Sequence, residues 1–510
     1  MRVAESFYIS TAISYPNGPP HIGHAYEAIA ADVIARHKRA QGFDVFFQTG
    51  TDEHGLKMSQ AARDRGVEPQ ALADEMSALF RDMADRLDVS YDRFIRTTEP
   101  AHHRASEAIW DAMAARGDIY LGRYEGWYSV RDEAFYDEKE LTGEGNARLS
   151  PQGTAVEWTV EESWFFRLSA YAQPLLEHIE ANPDFIRPEA RRNEVLGFIR
   201  GGLSDLSISR TSFDWGVRVP GSDAHVMYVW VDALTNYLTG AGYPDDVERM
   251  ARFWPADLHL IGKDIVRFHA VYWPAFLLSA GLALPKCVYG HGFLLQRGEK
   301  MSKSRGNVVD PLDLADRYGV DNLRYFLLRE VSFGQDGSYS DDAIVARCNA
   351  ELANSFGNLV QRTLSMIHKN LGGILPIRPP HSEGQAILDL VATACQRVNT
   401  EMDSYHFSHA LESWMTAVFA CNQFVDTEAP WALRKTDPDR MAAVLGTLFR
   451  AIRDLAATVA PVVPRATDTL LTAMGAKGSG GAGWYETLAG SDFRLAAPVP
   501  IFPRLDPPEA

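Results

Sequence analysis

The N-terminal part of the chain alternates between strand and helix patterns, and this order restricts the fold more than any other feature. An apolar run from Phe7 to Ala12 is typical of a buried strand, and Pro16-Asn17-Gly18 marks a turn after it. Apolar residues from Ile22 to Val33 then recur at helical spacing, and a second apolar strand runs from Asp44 to Gln48. Strand, helix and strand in this order predict a parallel sheet with a right-handed crossover.

Ligands of open parallel sheets bind beside the carboxyl ends of the strands. The loop that leads to His24 and the loop Thr49 to Gly55 follow the first two predicted strands, so we expect both at that edge. The α/β pattern returns at Val226 to Trp230, at Leu258 to Ile261 and at Lys286 to Leu295, which we interpret as further strands.

The 510 residues allow several domains. We predict an α/β fold in which a Rossmann-like parallel-sheet domain carries a small insertion of short aromatic strands and precedes an all-α helical bundle. The predicted boundaries are 1–116 and 214–340 for the two halves of the α/β domain, 117–213 for the insertion, 341–474 for the bundle and 475–510 for a tail rich in Gly and Pro.

Composition is that of an ordinary soluble protein, with 46% hydrophobic and 23% charged residues. No apolar signal core follows the first strand, and the longest apolar stretch, Ala270 to Pro285, is too short to cross a bilayer, so we expect a cytoplasmic protein without a membrane partner. The four cysteines lie far apart and are expected to be buried thiols. A net charge of −17 argues against a polyanionic partner, so any contact with RNA must rest on local basic surface, and Arg187 to Arg210 holds five arginines against three acids.

His21, Gly23 and His24 stand where the first predicted helix begins. Free backbone N–H groups and the positive end of the helix dipole make such a position suitable for an anion. The two imidazoles lie on one face of the first turn and can donate to phosphate oxygens. The same spacing also suits a metal site or a helix cap.

A second basic element, Lys300-Met301-Ser302-Lys303-Ser304, lies far along the chain. Two ammonium groups with small hydroxyl residues between them suit a mobile loop that closes on a triphosphate. The alternative interpretation is a solvated basic loop.

His21-Ile22-Gly23-His24 together with Lys300 to Ser304 resemble the two signature motifs of the class I aminoacyl-tRNA synthetases, and the resemblance extends from Phe7 to about Val459. It implies that an amino acid is activated with ATP and Mg²⁺ and transferred to tRNA. Neither step needs a protein nucleophile, so positioning and charge stabilisation would carry the rate. The catalytic residues that it implies are His21, His24, Lys300, Lys303 and Arg210. The ATP-binding residues are Asn17, Gly18, His21, Gly23, His24, Gly262, Asp264, Lys300, Ser302 and Lys303.

Several segments are similar to the methionyl enzymes of this family. The resemblance makes Asp52 the partner of the substrate ammonium group, with a turn residue as the alternative. Aromatic walls suit a thioether side chain, and a Tyr or His donor suits its weak acceptor sulfur. Leu234 stands where the family often has proline. The methionine-binding residues that the resemblance implies are Ile13, Tyr15, Asp52, Trp230, Ala233, Leu234, Tyr237, Ile265, Phe268 and His269, whereas Trp273 is expected to be core.

Many methionyl enzymes hold the insertion together with zinc bound to cysteine pairs. Here Ser129 and Asp132 stand at the first pair, and Gly145 to Gly153 contains neither cysteine nor histidine. We therefore predict no structural zinc, with aromatic residues stabilising the insertion instead.

Asn354, Asn358 and Arg362 recur every four residues, so we expect them on one helix face. Anticodon bases are read by edge hydrogen bonds and by stacking. The resemblance makes Asn358, Arg362 and Trp431 anticodon-binding residues, and Asn354 shares their face. Physical arguments alone favour a core position for Trp431.

Other functions remain open from the residues alone. A short insertion argues against the isoleucyl, valyl and leucyl relatives, and the absence of cysteine ligands argues against the cysteinyl ones. A small-molecule nucleotidylyltransferase shares the first motif but leaves the helical third unexplained, and a tRNA-binding paralogue with a dead site would not need both motifs. The chain has no appended dimerisation module, so we expect a monomer that binds tRNA(Met), methionine and ATP.

Overall fold

A computed structural model describes residues 4–132, 134–143, 147–296, 299–300, 308–475 and 492–507. The chain divides into two compact units, Met1–Gly292 and Phe293–Ala510.

The strands of the N-terminal unit are β1 Ser6–Thr11, β2 Asp44–Thr51, β3 Arg93–Arg96, β4 Ile119–Ser129, β5 Ala134–Tyr136, β6 Glu157–Phe166, β7 Ile186–Arg187, β8 Leu206–Ser207, β9 Ser209–Arg210, β10 Val226–Met227, β11 Leu258–Gly262 and β12 Val288–His291. Its α-helices are α1 Ile22–Ala40, α2 Leu56–Arg65, α3 Pro69–Arg86, α4 Pro100–Ala115, α5 Ala172–Ala181, α6 Glu189–Arg200, α7 Val229–Ala241, α8 Val247–Phe253 and α9 Trp273–Ala280. Lys263–Ile265 forms a 3-10 helix and Phe268–Tyr272 a π-helix.

The central sheet has six strands in the order β3-β2-β1-β11-β12-β7. All five pairings are parallel, for example Tyr8 beside Phe46 and Leu260 beside Tyr289. The predicted α/β class with a parallel Rossmann-like core is thus confirmed.

α1 makes the first crossover because one broad face of it is apolar. Its buried residues include Ile22, Ile29 and Val33, and basic residues occupy the last turn, where they suit the helix dipole. Gly42, with φ of 92°, then turns the chain into β2.

The prediction of a strand from Val226 to Trp230 is wrong beyond Met227, because α7 begins at Val229. A short apolar run does not distinguish a buried strand from the first turn of a buried helix, and every residue of α7 from Val231 to Ala241 is buried. β7 lies within the range assigned to the insertion yet is an edge strand of the central sheet.

The predicted aromatic insertion forms an antiparallel sheet in the order β5-β4-β6-β8, in which β4 and β6 are longer than the short strands expected. Aromatic contacts stabilise it: Trp127 and Trp158 meet edge to face at 5.4 Å, and Tyr120 stacks on Phe165 at 5.5 Å.

The C-terminal unit begins with a small sheet and continues as helices. Its strands are β13 Leu294–Gln296, β14 Glu299–Lys300, β15 Gly337–Tyr339, β16 Ile374–Pro376 and β17 Asp492–Arg494. Its α-helices are α10 Pro311–Tyr318, α11 Val320–Glu330, α12 Asp341–Arg347, α13 Asn358–Leu371, α14 Ser382–Asp403, α15 Phe407–Glu428, α16 Pro430–Thr436, α17 Pro438–Val459 and α18 Pro464–Ala473. A π-helix, Cys348–Gly357, precedes α13.

The helical bundle has the predicted character, with Trp414, Phe449 and Leu455 fully buried in it. The tail also takes part in the fold, since β17 pairs with β16 and Phe502 is buried.

Three cysteines are buried and the fourth, Cys395, is half-buried, as the sequence predicted. Burial raises the pKa of the Cys421 thiol to about 12 and that of Cys395 to about 11, so all remain thiols at neutral pH. Within the described part of the chain, no helix is both long and apolar enough to cross a membrane.

Candidate active site

Two loops at the carboxyl edge of the central sheet are held together by backbone hydrogen bonds. The Ser14 N–H donates to the Gly50 carbonyl at 2.9 Å, and the Asp52 N–H donates to the Ser14 carbonyl at 2.9 Å. The chain after β1 therefore runs beside the end of β2, and the predicted location of the two loops is confirmed.

His21 and His24 form a reciprocal cap at the start of α1. The Gly23 N–H donates to His21 Nδ1 at 3.1 Å, and the His21 N–H donates to His24 Nδ1 at 3.1 Å. The two rings stack with centroids 3.8 Å apart. Because each Nδ1 accepts a backbone proton, the proton of each neutral imidazole lies on Nε2. Capping, one of the alternatives for this pair, thus also fixes the tautomer that can donate to an anion.

Gly23 is needed for this cap. A Cβ atom at this position would lie 2.9 Å from His21 Cε1 and 3.0 Å from His21 Nδ1. Any side chain here would displace the ring, so the space beside Gly23 belongs to the His21 imidazole.

The loop after β2 presents Asp52 and holds its neighbours firmly. Asp52 is 7% exposed. Glu53 beside it accepts from Arg96 Nε at 2.6 Å and from the Thr98 hydroxyl at 2.6 Å, and the Trp215 indole N–H donates to the Glu53 carbonyl at 2.6 Å. These contacts order the backbone directly after Asp52.

An aromatic group lies on α7 and on the π-helix after β11. Trp230, which is half-buried, stacks on Phe268 with centroids 3.7 Å apart and planes 6° from parallel. His269 meets Trp230 edge to face at 6.1 Å, and the buried Tyr237 lies with its ring centre 5.7 Å from that of His269. The structure therefore brings together four aromatic residues of the predicted methionine pocket, Trp230, Tyr237, Phe268 and His269, whereas Trp273 is fully buried core, as expected.

The tautomer of His269 follows from its hydrogen bonds. Nδ1 lies 3.0 Å from the Ile265 carbonyl, which only accepts, so Nδ1 carries the proton. Burial lowers the pKa of His269 to about 4, so the ring is neutral and Nε2 accepts from the Tyr237 hydroxyl at 2.7 Å. A thioether that accepts a hydrogen bond from Tyr237 must compete with this contact.

The remaining predicted pocket residues lie on α7, in the 3-10 helix after β11 and in the loop after β1. Ala233 and Leu234 are buried on α7, one turn from Trp230. Tyr15 is half-buried after β1, and its hydroxyl accepts from the Met58 N–H at 3.1 Å. Ile13 and Ile265 are also half-buried. Leu234 packs in the core of the unit, which leaves its contact with a substrate a prediction.

Arg210 is a buried cation at the end of β9. It is 2% exposed, and its Nη1 donates to the Ser209 carbonyl at 2.7 Å and the Ser207 hydroxyl at 2.9 Å. Its guanidinium lies 4.6 Å from the centre of the Tyr228 ring. Arg210, Tyr228 and Tyr272 line a cavity of about 310 Å³.

The other residues predicted to bind ATP flank the first loop and β11. Asn17 is exposed and Gly18 half-buried in the bend before α1. Gly262 ends β11, where a Cβ atom would lie 2.8 Å from Asp264 Oδ1. Asp264 itself is exposed.

Sequence reasoning missed Glu27, one turn after His24 on α1. Both residues line one small cavity, and Glu27 accepts from His291 Nε2 at 2.9 Å. Burial raises the pKa of Glu27, and the hydrogen bond from His291 opposes that shift. Its i,i+3 spacing from His24 was a signal that could have identified it.

The structure describes only the first residue of the lysine-serine segment, Lys300 to Ser304. Lys300 belongs to β14, which pairs with β13, and its side chain is outside the description. Ser302 and Lys303 lie outside the described residues.

Residues predicted to contact RNA lie in the helical unit. Asn354 and Asn358 are exposed, whereas Leu352, Phe356 and Leu359 are buried, as their spacing predicted. Arg362 Nη2 donates to Asp426 at 2.8 Å, and its guanidinium lies 5.5 Å from the centre of the Trp431 ring. The expectation from physical arguments alone that Trp431 is core is wrong, since its side chain is 50% exposed. It follows Pro430 at the start of the short helix α16, which holds it at the surface.

Comparisons with known proteins agree over the whole chain. The family model "tRNA synthetases class I (M)" matches residues 7–364, and "Anticodon binding domain of methionyl tRNA ligase" matches residues 379–495. The chain belongs to the methionyl-tRNA synthetases. It is 55% identical to the methionine--tRNA ligase of Brucella suis, over 98% of each chain. It is 58% identical to that of Mesorhizobium japonicum, over 92% of this chain and 91% of the other.

A solved structure of the Mycobacterium tuberculosis methionyl-tRNA synthetase in complex with methionyl-adenylate superimposes with a TM-score of 0.93 at 52% identity. The match covers 98% of this chain and 100% of the other. The predicted family, and with it ATP-dependent activation of methionine and charging of tRNA, is therefore confirmed.

Proposed function

We propose that His21 and His24 stabilise the phosphates of ATP while the carboxylate of methionine attacks the α-phosphorus. The observation that carries this proposal is the reciprocal cap, which places the proton of each stacked ring on Nε2 and so makes that atom a donor. Negative charge that moves toward the leaving pyrophosphate meets both donors and the start of α1. Donors fixed in advance need no reorganisation during the reaction.

Lys300, Ser302 and Lys303 complete the phosphate site in this proposal. Two ammonium groups would neutralise the charge of the leaving pyrophosphate, and the Ser302 hydroxyl would donate to it. Asn17, Gly18, Gly262 and Asp264 would contact the rest of ATP. Arg210 would act with Asp52 and pyrophosphate.

Methionine would be held at both ends. Asp52 would accept from the α-ammonium group, in a loop ordered by the contacts of Glu53. Trp230, Phe268, Tyr237 and His269 would surround the thioether, which aromatic faces attract. Ile13, Tyr15, Ala233, Leu234 and Ile265 would close the pocket. A slot lined only by apolar groups separates side chains that differ by one methylene by about 1–3 kcal/mol, so the polar pair Tyr237–His269 adds selectivity.

In the second step the terminal ribose hydroxyl of tRNA would attack the acyl carbon of the adenylate, with AMP as the leaving group. Anticodon recognition is assigned to Asn354, Asn358, Arg362 and Trp431. The exposed indole, with the Arg362 guanidinium close to its ring, offers the stacking platform that single-stranded bases need.

ATP would bring Mg²⁺ with it, and the ion would neutralise phosphate charge. No structural zinc is proposed for the insertion. Asp132, at a position where related enzymes carry a cysteine, accepts from the hydroxyls of Ser150 at 2.6 Å, Thr154 at 2.5 Å and Tyr136 at 2.9 Å. Ser129 Oγ lies 2.7 Å from Thr154 Oγ1. Hydroxyls that are not deprotonated are poor zinc ligands, and this network satisfies them without a metal.

The enzyme is further proposed to act as a cytoplasmic monomer. Sedimentation velocity in the presence and absence of tRNA would measure the number of chains in each complex.

Exchange of pyrophosphate into ATP, measured with each amino acid in turn, tests the assignment. Exchange that depends on methionine is expected. Exchange without any amino acid would indicate a nucleotidylyltransferase, and no exchange would indicate a tRNA-binding protein with a dead site.

A further inference from the structure

A buried carboxylate links the loop that carries Asp52 to the helix that carries the thioether pocket. Asp232, in the first turn of α7, has a side chain that is 1% exposed. One carboxylate oxygen lies 2.6 Å from His54 Nδ1, and the other lies 2.7 Å from His102 Nε2. The loop after β2, α4 and α7 are far apart in sequence, and all three therefore meet at the Asp232 carboxylate.

The hydrogen bonds define the protons of this group. Burial raises the pKa of Asp232, but the interactions with His54 and His102 outweigh it and hold that pKa well below the usual range. The carboxylate is ionised and only accepts, so His54 Nδ1 and His102 Nε2 both donate. Breaking such a buried pair leaves a charge or a donor without its partner, which is costly.

The contact also has a geometric consequence. His54 is two residues from Asp52, and Asp232 is two residues from Trp230 and one from Ala233. On its other side the loop is tied to the end of β3 through Glu53 and Arg96. α7 has its own link to the sheet, since Gln48 Nε2 donates to Asn236 Oδ1 at 2.7 Å. Losing Asp232 therefore releases the loop from α7 while α7 stays on the sheet.

We propose that Asp232 is a positioning residue for methionine, which acts through His54 to set the distance between the Asp52 carboxylate and the thioether pocket. This inference rests on the proposed role of Asp52. A substrate held at both ends is sensitive to that distance, because a displacement of about 1 Å in a binding group can cost about 10²-fold.

The test uses Asp232→Asn, which keeps the shape of the side chain but replaces two acceptor oxygens with one acceptor and one N–H donor, so the charge-assisted hydrogen bonds to His54 and His102 can no longer both form. Two analogues that keep the thioether chain of methionine but differ in the ammonium group distinguish binding at its two ends. Each is measured as a competitive inhibitor of methionine-dependent pyrophosphate exchange. 3-(Methylthio)propylamine keeps the ammonium group, and 4-(methylthio)butanoate lacks it. We expect Asp232→Asn to weaken the binding of methionine and of the amine at least about tenfold. The binding of the acid and the KM for ATP should change by no more than about twofold. A role in fold stability alone would weaken both analogues equally, and that result would overturn the proposal.

Two further variants keep the test decisive if Asp232→Asn folds poorly. His54→Ala removes the donor and should reproduce the selective loss, whereas His54→Asn can donate through its amide and should restore most of the affinity for the amine. Equal behaviour of the two His54 variants would overturn the proposal. Asp321→Asn, a change at a buried carboxylate of α11 that accepts from the Ala466 N–H, is the control for loss of a buried charge and should leave all three affinities unchanged.

Asp52→Asn separates this inference from the role on which it rests. If Asp52→Asn does not weaken the amine, the assignment of Asp52 is contradicted, and the proposal for Asp232 fails with it. If Asp52→Asn weakens the amine and Asp232→Asn does not, the proposal for Asp232 alone fails.

Discussion

The imidazole of His24 lies 3.8 Å from that of His21, and its Nδ1 accepts the backbone N–H of His21. One side chain thus caps a helix and carries its proton on the second nitrogen, Nε2, which we propose as a donor to ATP. The two roles can be separated by substitution.

His24→Asn keeps an acceptor for the His21 N–H but loses the Nε2 donor. We expect the rate of adenylate formation to fall by about 10²–10³-fold, as for loss of one transition-state donor, with little change in thermal stability. His24→Ala should lose the same rate and in addition about 1 kcal/mol of stability, because the capped N–H loses its partner. Single-turnover kinetics and thermal unfolding measure the two effects. An Asn variant with wild-type rate would show that His24 is only a cap.

The buried His269 predicts a dependence of stability on pH. Its pKa of about 4 lies below the value of about 6.5 for an unfolded chain, so between these values the unfolded chain binds a proton that the native pocket does not. Stability should therefore fall as the pH drops from about 6.5 to about 4, by about 3 kcal/mol for this residue. Unfolding of His269→Gln across this range should be less steep by that amount, and parallel curves for the two proteins would contradict the assigned neutral state.

Trp431→Ala should affect tRNA and not methionine. Stacking of one base on an aromatic ring contributes about 1–3 kcal/mol, so kcat/KM for tRNA should fall by about 10–100-fold while pyrophosphate exchange is unchanged. Phe419, which is 54% exposed on α15, supplies the control, since Phe419→Ala should leave charging intact. Equal effects of the two substitutions would remove the specific role of Trp431.

The hydroxyl network around Asp132 predicts a metal-free insertion. Elemental analysis of the purified protein should find far less than one zinc per chain, and chelators should not lower the unfolding temperature. Asp132→Ala removes the carboxylate that accepts from the Ser150 and Thr154 hydroxyls. It should lower the free energy of unfolding by about 1–3 kcal/mol. Glu125→Ala, at an exposed position of β4, should cost little. One bound zinc per chain would contradict the proposal.

Local patterns in the sequence predicted much of the fold. β1, α1 and β2 were identified because the apolar period, the turn residues and Gly42 all indicate the same structure. Val229 and Trp230 were predicted to lie in a strand because the buried helix α7 begins with a run of apolar residues. Such a run shows no helical spacing of apolar and polar residues. β7 has only two residues, and its place in the sheet depends on β12, about a hundred residues later in the chain.

The site, like the fold, contains residues that a local sequence pattern predicts and contacts that no local pattern reveals. Motif spacing predicted His21 and His24, and the resemblance to the methionyl enzymes supplied Asp52 and the aromatic pocket. The link from Asp232 to His54 spans 178 residues, and the hydroxyl network around Asp132 depends on a hairpin closing, so neither has a local pattern. Exposure of Trp431 depends on how α16 packs in the bundle, which the residues beside it in the sequence do not reveal.

The central claim is that the N-terminal histidines and the lysine-serine segment act on one triphosphate. Single-turnover formation of methionyl-adenylate by Lys303→Ala, measured together with the dissociation constant for methionine, tests it most directly. The account predicts a rate lower by about 10²–10³-fold with methionine affinity nearly unchanged. Equal losses in rate and in methionine affinity would contradict it.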